Sequence, residues 1–447
     1  MPDSPSLGAD SDALCREMRR RAREIFDDAL AECSIPRAMK QKLGSDGRTL
    51  RVEDRIYDLE AFERVLAVSI GKAGYSLAEN FAGLVDRPLL GIVAAPGGAP
   101  APLAGFQYFS GGHPLPNDNS LRAGGAILRL VTGLSPETLV VFLLSGGASA
   151  MAEKPIRAEI TLADVVQTYR ALVHSGAPIA EINAIRKHLS GLKGGRLARA
   201  ALPAYQLSIL VSDVPEHSLD ALASGPTMPD STSVQDCHDI VRRYQLLGSL
   251  PRSVRSIFEQ GHLQETPKAC DAAFARSQYT TVLSNATAIR AAVEQAALAG
   301  FATEVDLSCD DWDYERAADH LLGRLRELRQ GVSRACIISG GEVTVKVSGE
   351  PGTGGRNQQF ALYCAQKIAG ENITVLSAGT DGVDGNSEAA GAVVDGSTLE
   401  RARQSGLNPA TALGRLDSYP LFQAIGDAIV TGPTGNNVRD VRILMAW

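Results

Sequence analysis

Short apolar runs alternate with amphipathic stretches along most of this chain. RVLAVSI, LLGIVAA, TLVVFLL and QLSILVS are apolar almost throughout, the pattern of strands buried on both faces. Between them, GYSLAENFAGLV, DNSLRAGGAILRLV and LADVVQTYRALVHSG carry apolar residues at helical spacing. This alternation predicts a doubly wound parallel sheet. A helix precedes it: Leu14, Met18, Ile25, Phe26 and Leu30 recur at helical spacing in SDALCREMRRRAREIFDDALAEC. Its arginines, Arg19, Arg20, Arg21 and Arg23, are expected on a solvated face.

The periodicity fades at Gly261. GHLQETPKACDAAFARSQ has no clean period and reads as a linker. The expected division is therefore an α/β domain over 11–261, a linker over 262–278 and a second α/β domain over 279–447. The second domain opens on YTTVLSN and continues with NATAIRAAVEQAALAG, FATEVDL and ERAADHLLGRLRELRQG. RACIISG and EVTVKVS then read as a hairpin.

Composition narrows the function classes. A length of 447 residues suits two domains, and 44 glycines suit α/β units with many tight turns. A net charge of −7 argues against nonspecific nucleic-acid binding, which needs clustered cations. The seven cysteines are irregularly spaced with no C-x-x-C pair, as in a reducing, cytoplasmic compartment. The start, MPDSPSLGADSD, lacks the features of a secretory signal, and no apolar run reaches membrane-spanning length. No histidine spacing suggests zinc. The expected partner is a small molecule rather than nucleic acid or membrane, and a homo-oligomer is compatible with the sequence.

Ligands of open α/β sheets sit at the carboxyl ends of strands. Those ends read Gly71-Lys72-Ala73-Gly74, Ser145-Gly146-Gly147-Ala148-Ser149, Ser212-Asp213, Gly340-Gly341-Glu342 and Thr380-Asp381-Gly382. Each alone has a plain reading: Lys72 as a surface lysine, SGGAS as a chain reversal. Together they combine anion-binding backbone with one lysine and several isolated acids, a set suited to phosphoryl transfer. Gly355 and Arg356 open a further helix, where an arginine fork suits phosphate or carboxylate. Asn437 stands in the turn TGPTGNN. Arg186, Lys187, His188 and Lys193 form either a second cationic group or a solvated helix face. In SAGTDGVDG, Asp381 directly follows the strand end and is read as chemical, while Asp384 is read mainly as a turn former. The P-loop, the G-x-G-x-x-G fingerprint and the G-x-S-x-G elbow are all missing.

These motifs resemble the ATP-dependent glycerate 2-kinases with a C-terminal MOFRL domain, a family in which some members carry the label hydroxypyruvate reductase. The resemblance rests on GKAG, GGHPLPN, LLSGGASA, INAIRKHLSGLKGGRLA, SDV, ASGPTMPD, ISGGEVTVKV, GGRNQQFAL, AGTDGVDG, AAGAVVDG and TGPTGNNV, in the family order. It implies a Rossmann-like N-terminal domain, a mixed α/β C-terminal domain and an active site in the cleft between them. It implies phosphate transfer from ATP, with Mg2+, to the C2 hydroxyl of D-glycerate. Carried onto matching positions, Lys72, Asp213, Arg356 and Asp381 are the catalytic candidates. Asp213 and Asp381 are also the magnesium candidates, with base and ligand roles left open between them. Ser145, Gly146, Gly147, Ser149, Gly341, Glu342, Gly355 and Asn437 would bind the nucleotide. The chain departs from the family pattern at Ala148, Glu216, His217, Gln359 and Asn436. Two other readings are a reductase acting on hydroxypyruvate and a non-catalytic nucleotide- or sugar-acid-binding relative.

Overall fold

The structure, a computed structural model, describes residues 9–98, 101–347 and 349–447, so the first eight positions of the polar N-terminal segment lie outside it. Two compact units emerge. Residues 35–282 form one, and the described residues up to Ser34 join 283–447 in the other.

The 35–282 unit begins with a small antiparallel meander, β1 (Leu43–Ser45), β2 (Thr49–Val52) and β3 (Arg55–Asp58). Its main sheet contains β4 (Arg64–Ile70), β5 (Leu90–Ala95), β6 (Phe106–Ser110), β7 (Thr138–Leu144), β8 (Tyr205–Val211) and β9 (Ser277–Leu283). The spatial order is β6-β5-β4-β7-β8-β9. The pairings of β4 with β5 and β7, of β5 with β6, and of β7 with β8 are all parallel. The order reverses at β4, as in a doubly wound Rossmann-type sheet, and leaves the ends of β4 and β7 at the switch point. β7 is buried along its whole length, which explains its unbroken apolar run.

The other unit holds β10 (Ala302–Val305), β11 (Ala335–Gly341), β12 (Ile373–Gly379), β13 (Gly391–Asp395), β14 (Ala428–Ile429) and β15 (Asp440–Ala446), in the order β10-β11-β15-β12-β13-β14. Only β10 with β11 is parallel, and β15 runs antiparallel between β11 and β12. The expectation of a doubly wound sheet followed by a mixed α/β unit is borne out.

Three expectations are corrected. YTTVLSN is not the first strand of the second unit; Ser277–Leu283 is the last strand of the first sheet. The segment before it is not a free linker. Thr266 is buried and donates to Asp230 Oδ2 at 2.8 Å, and Arg199 holds Asp271 at 2.6 Å, so side chains tie it to the sheet's helices. EVTVKVS forms no hairpin: the described residues there make only a bridge between Asp313 and Thr344.

The helix Ala9–Glu32 departs from expectation most. It packs on the helix Asn285–Leu298 and on β12 and β13, inside the C-terminal unit. Its arginine run is divided. Arg20 stays exposed and Arg21 half-buried beside Glu17. Arg19 instead pairs with the fully buried Asp395 and approaches Asp427 at 3.7 Å, and Arg23 donates to the Gly426 and Ala428 carbonyls. Arg19 faces inward to meet a buried acid, and Arg23 to meet two backbone carbonyls.

Arg19→Ala should therefore destabilise the protein by about 3 kcal/mol, the lower end for breaking a buried ion pair, because Arg401 also stands 3.8 Å from Asp395. Arg20→Ala should stay within about 0.5 kcal/mol. Denaturant titration followed by circular dichroism compares the two, and equal small effects would return Arg19 to the solvent face.

Candidate active site

Each unit carries one group of the expected residues. In the 35–282 unit the group gathers where β4, β7 and β8 end. The Lys72 N–H donates to the Gly146 carbonyl at 2.8 Å, and the Ala73 N–H donates to Ser145 Oγ at 3.1 Å, so the two loops are stitched together. A Cβ on Gly146 would lie 2.0 Å from Asp213 Oδ2. Only glycine lets the β7 loop approach this aspartate, which is why the two meet. Gly147 takes φ +79 and would place a Cβ 3.2 Å from Lys72 Cγ and 2.9 Å from His113 Cδ2. Lys72, His113, the β7 loop and Asp213 thus form one cluster. Partial desolvation, then the Lys72 ammonium, pushes the His113 ring below its ordinary pKa, leaving it neutral beside the lysine.

The two serines of this loop act as braces. Ser145 is buried with Oγ accepting from Ala73, and Ser149 Oγ lies 2.8 Å from Ser224 Oγ. Ala148 is absent from the positive-φ residues, so its methyl group introduces no left-handed strain. Glu216 and His217 are exposed at the start of a 3-10 segment.

The cationic stretch from Arg186 to Lys193 does not form a solvated face. Lys187 Nζ lies 2.9 Å from Asp220 Oδ2 and 3.1 Å from Asp230 Oδ1. Buried Lys193 donates to Glu153 and, at 3.0 Å, to Tyr169. Ser190 donates to Glu153 Oε1 at 2.6 Å, and the Arg186 guanidinium lies 4.4 Å from the Tyr169 ring centre. Lys187 and Lys193 are thus paired with acids inside the unit, as burial demands, and Arg186 stacks on an aromatic ring.

In the C-terminal unit, Arg356 opens the helix Arg356–Lys367. Its Nε donates to Asp440 Oδ2 at 2.6 Å and its Nη2 to Asp440 Oδ1 at 3.0 Å, while Nη2 lies 2.8 Å from Glu342 Oε1. Burial opposes the guanidinium charge, but Asp440 and Glu342 outweigh it and raise its pKa. A Cβ on Gly379 would lie 3.3 Å from Asp381 Oδ1 and 3.4 Å from Asp440 Oδ1, so both carboxylates flank this glycine. Asp381 is half-buried. Its Oδ1 accepts from the Val383 N–H at 3.2 Å, and Oδ2 has no protein donor among the described residues. Asn437 Oδ1 accepts from the Arg439 N–H, which holds the turn before β15. Glu342 follows Gly341, and its N–H donates to Asp310 Oδ1 at 3.0 Å. Asp310 in turn takes Arg439 in a two-point pair.

Asp384 is not mainly a turn former. The positive φ angles of that loop belong to Gly382 and Gly385. Asp384 is buried and caps the Arg356 helix: its oxygens accept from the Asn357 and Gln358 N–H groups at 3.1 and 2.9 Å. Gly355 is required beneath it, since a Cβ there would lie 2.3 Å from Asp384 Cγ. Gln359 and Asn436 are packing positions, donating to the Leu413 and Cys33 carbonyls.

Asp440, Asp310 and His113 escaped the sequence reading. Asp440 precedes an apolar run instead of following one. Because β15 is antiparallel, its first residue stands at the edge where β11 and β12 end, opposite both Gly341 and Gly379.

Desolvation lifts the Asp384 carboxyl from its ordinary 3.8 to about 6, against the pull of its backbone donors. That rise corresponds to on the order of 3 kcal/mol. With the folded pKa above the unfolded one, the contribution is fully present below pH 4 and lost as pH rises through about 6. The stability of the native protein minus that of Asp384→Asn should therefore shrink between pH 4 and 7. Urea titrations across that range check the slope, and a constant difference would show that Asp384 does not titrate there.

The chain matches a domain of unknown function, DUF4147, over residues 21–259 and the MOFRL family over residues 335–440. A D-glycerate 2-kinase of Thermotoga maritima is 35% identical, covering 85% of this chain and 90% of its own. A glycerate kinase of Homo sapiens is 32% identical over 96% of this chain and 93% of its own. A protein of Agrobacterium vitis labelled hydroxypyruvate reductase is 36% identical over 97% of this chain and 95% of its own. A crystal structure of glycerate kinase from Thermotoga maritima superposes with a TM-score of 0.83 at 32% identity, covering 97% of this chain and 100% of that one.

Proposed function

We propose that this chain, which belongs to the glycerate kinase family with a MOFRL domain, transfers the γ-phosphoryl group of ATP to the C2 hydroxyl of D-glycerate. The full-length likeness to glycerate kinases carries this reading. The two residue groups supply chemistry that suits it. Lys72 and the Gly146–Gly147 backbone offer cationic and N–H contacts for an anion, either phosphate or the substrate carboxylate. The remaining edge of Arg356 offers a further cation for the transferring group. Because Ser145 is engaged by the Ala73 N–H and Ser149 by Ser224, the contacts assigned to the loop fall mainly to its backbone.

In the transfer, the C2 oxygen bonds to the γ-phosphorus while the bond from that phosphorus to the β-γ bridging oxygen breaks, and ADP leaves with the electron pair. The hydroxyl proton passes to a carboxylate, for which Asp381 Oδ2 is available. Magnesium takes hard oxygen donors, and the candidate ligands are the strand-end carboxylates Asp213 and Asp381. Asp384 does not suit the ion, because its oxygens cap a helix. Held by Asp213 or Asp381, magnesium would neutralise phosphate charge.

D-Glycerate, ATP and magnesium should give ADP and 2-phosphoglycerate, with the position of the phosphate read by phosphorus NMR. A 3-phospho product, or no turnover, would count against the assignment. A parallel assay of NADH oxidation with hydroxypyruvate tests the reductase label. Absence of the G-x-G-x-x-G fingerprint predicts no oxidation there.

Asp381→Asn should lose on the order of 10²–10⁴ in single-turnover rate, the range for a positioned acid or base. Circular dichroism controls for folding. A near-native rate in this variant would remove Asp381 from the chemistry.

A further inference from the structure

We infer that Asp440 is the positioning residue for Arg356, an inference that rests on the kinase reading of that arginine. Asp440 is almost fully buried, yet it carries a charge at the edge of the sheet where the candidate residues lie. Its backbone is held on both sides. It pairs with Gly341 on one side and Gly379 on the other, and its carbonyl accepts from Asn285 Nδ2 at 3.0 Å. Behind it, fully buried Arg442 donates to the Gly340 and Gly341 carbonyls and stands 3.9 Å from Asp440 Oδ2.

Arg356 is thereby held at both ends. Its backbone is fixed at a helix start capped by Asp384, and its guanidinium is held in the plane set by the two Asp440 oxygens. Nε and Nη2 are engaged, while Nη1 has no protein partner among the described residues. The side chain is 36% exposed, so one edge stays open to a ligand. A free arginine side chain samples many rotamers, and ordering it when substrate arrives reduces the rate. Asp440 orders it beforehand. The fork expected to embrace phosphate is instead closed on Asp440, so Arg356 addresses its ligand through a single edge.

A plain structural ion pair predicts otherwise in a double-mutant cycle. The variants are Asp440→Asn, Arg356→Ala and the pair combined, each assayed for ADP release with D-glycerate. Asp440→Asn should lower kcat by roughly 10–100-fold, as expected for a misplaced catalytic group, with KM for glycerate within about twofold. In the Arg356→Ala background the same change should have almost no further effect on kcat. Asp440→Glu, which keeps the charge, should recover part of the loss. If the two effects multiply in the double variant, Asp440 acts on turnover by a route other than Arg356, and if activity per folded molecule stays native it acts only on stability; either result overturns the inference. Should Asp440→Asn fail to fold, Asp440→Glu replaces it in the cycle. Calorimetry of ATP binding runs the same cycle independently of turnover. An inactive native enzyme would overturn the kinase reading, while calorimetry would still report whether Asp440 and Arg356 act as one unit.

Discussion

One strand running against its neighbours organises the C-terminal unit. β15 enters antiparallel between β11 and β12, so its first residue lies at the edge where the other two end. Parallel strands would bring only their carboxyl ends to that edge, each after a long crossover. The reversed strand instead places Asp440 directly opposite Gly341 and Gly379. A buried carboxylate there is unfavourable unless a cation meets it. Arg356, arriving at the start of its own helix, and Arg442, from two residues further along the strand, meet that demand. The position of Arg356 follows from this electrostatic requirement.

The 35–282 unit reaches a comparable end by the opposite route. In its main sheet the strands from β6 to β8 pair in parallel, and strand order rather than strand direction opens the gap between the ends of β4 and β7. The loops that leave those strands hydrogen-bond to each other. Close approach then depends on a missing side chain, since any Cβ on Gly146 would collide with Asp213. Loop rigidity comes from Ser145, whose hydroxyl faces the neighbouring loop. The sequence offered this serine as a ligand contact, and its hydrogen bond makes it a brace.

Charged runs were the least readable feature. Arg19 and Lys193 looked like residues of solvated helix faces, yet each meets a buried acid. Asp395 is 376 residues from Arg19, and Glu153 is 40 residues from Lys193. A cation followed by apolar residues at helical spacing has the same local pattern whether its partner is water or a distant carboxylate. The helix Ala9–Glu32 shows the same limit at the level of domains. Chain order places it with the N-terminal sheet, and its apolar face fits the C-terminal one.

The sequence by itself determined the elements and the candidate loops. Strands buried on both faces must be apolar throughout, and strand ends that approach ligands often need glycine, so β4, β7, β8, β11 and β12 were legible, as were the glycine turns after β4, β7, β11 and β12. Lys72, Asp213, Arg356 and Asp381 were nominated on that basis and on family resemblance. Tertiary structure alone decided which residues meet. It moved Ser277–Leu283 into the first sheet, gave Asp384 a helix to cap and brought Asp440 to Arg356. Those outcomes depend on strand direction and on pairing across long sequence separations, and neither leaves a periodic trace in the residues themselves.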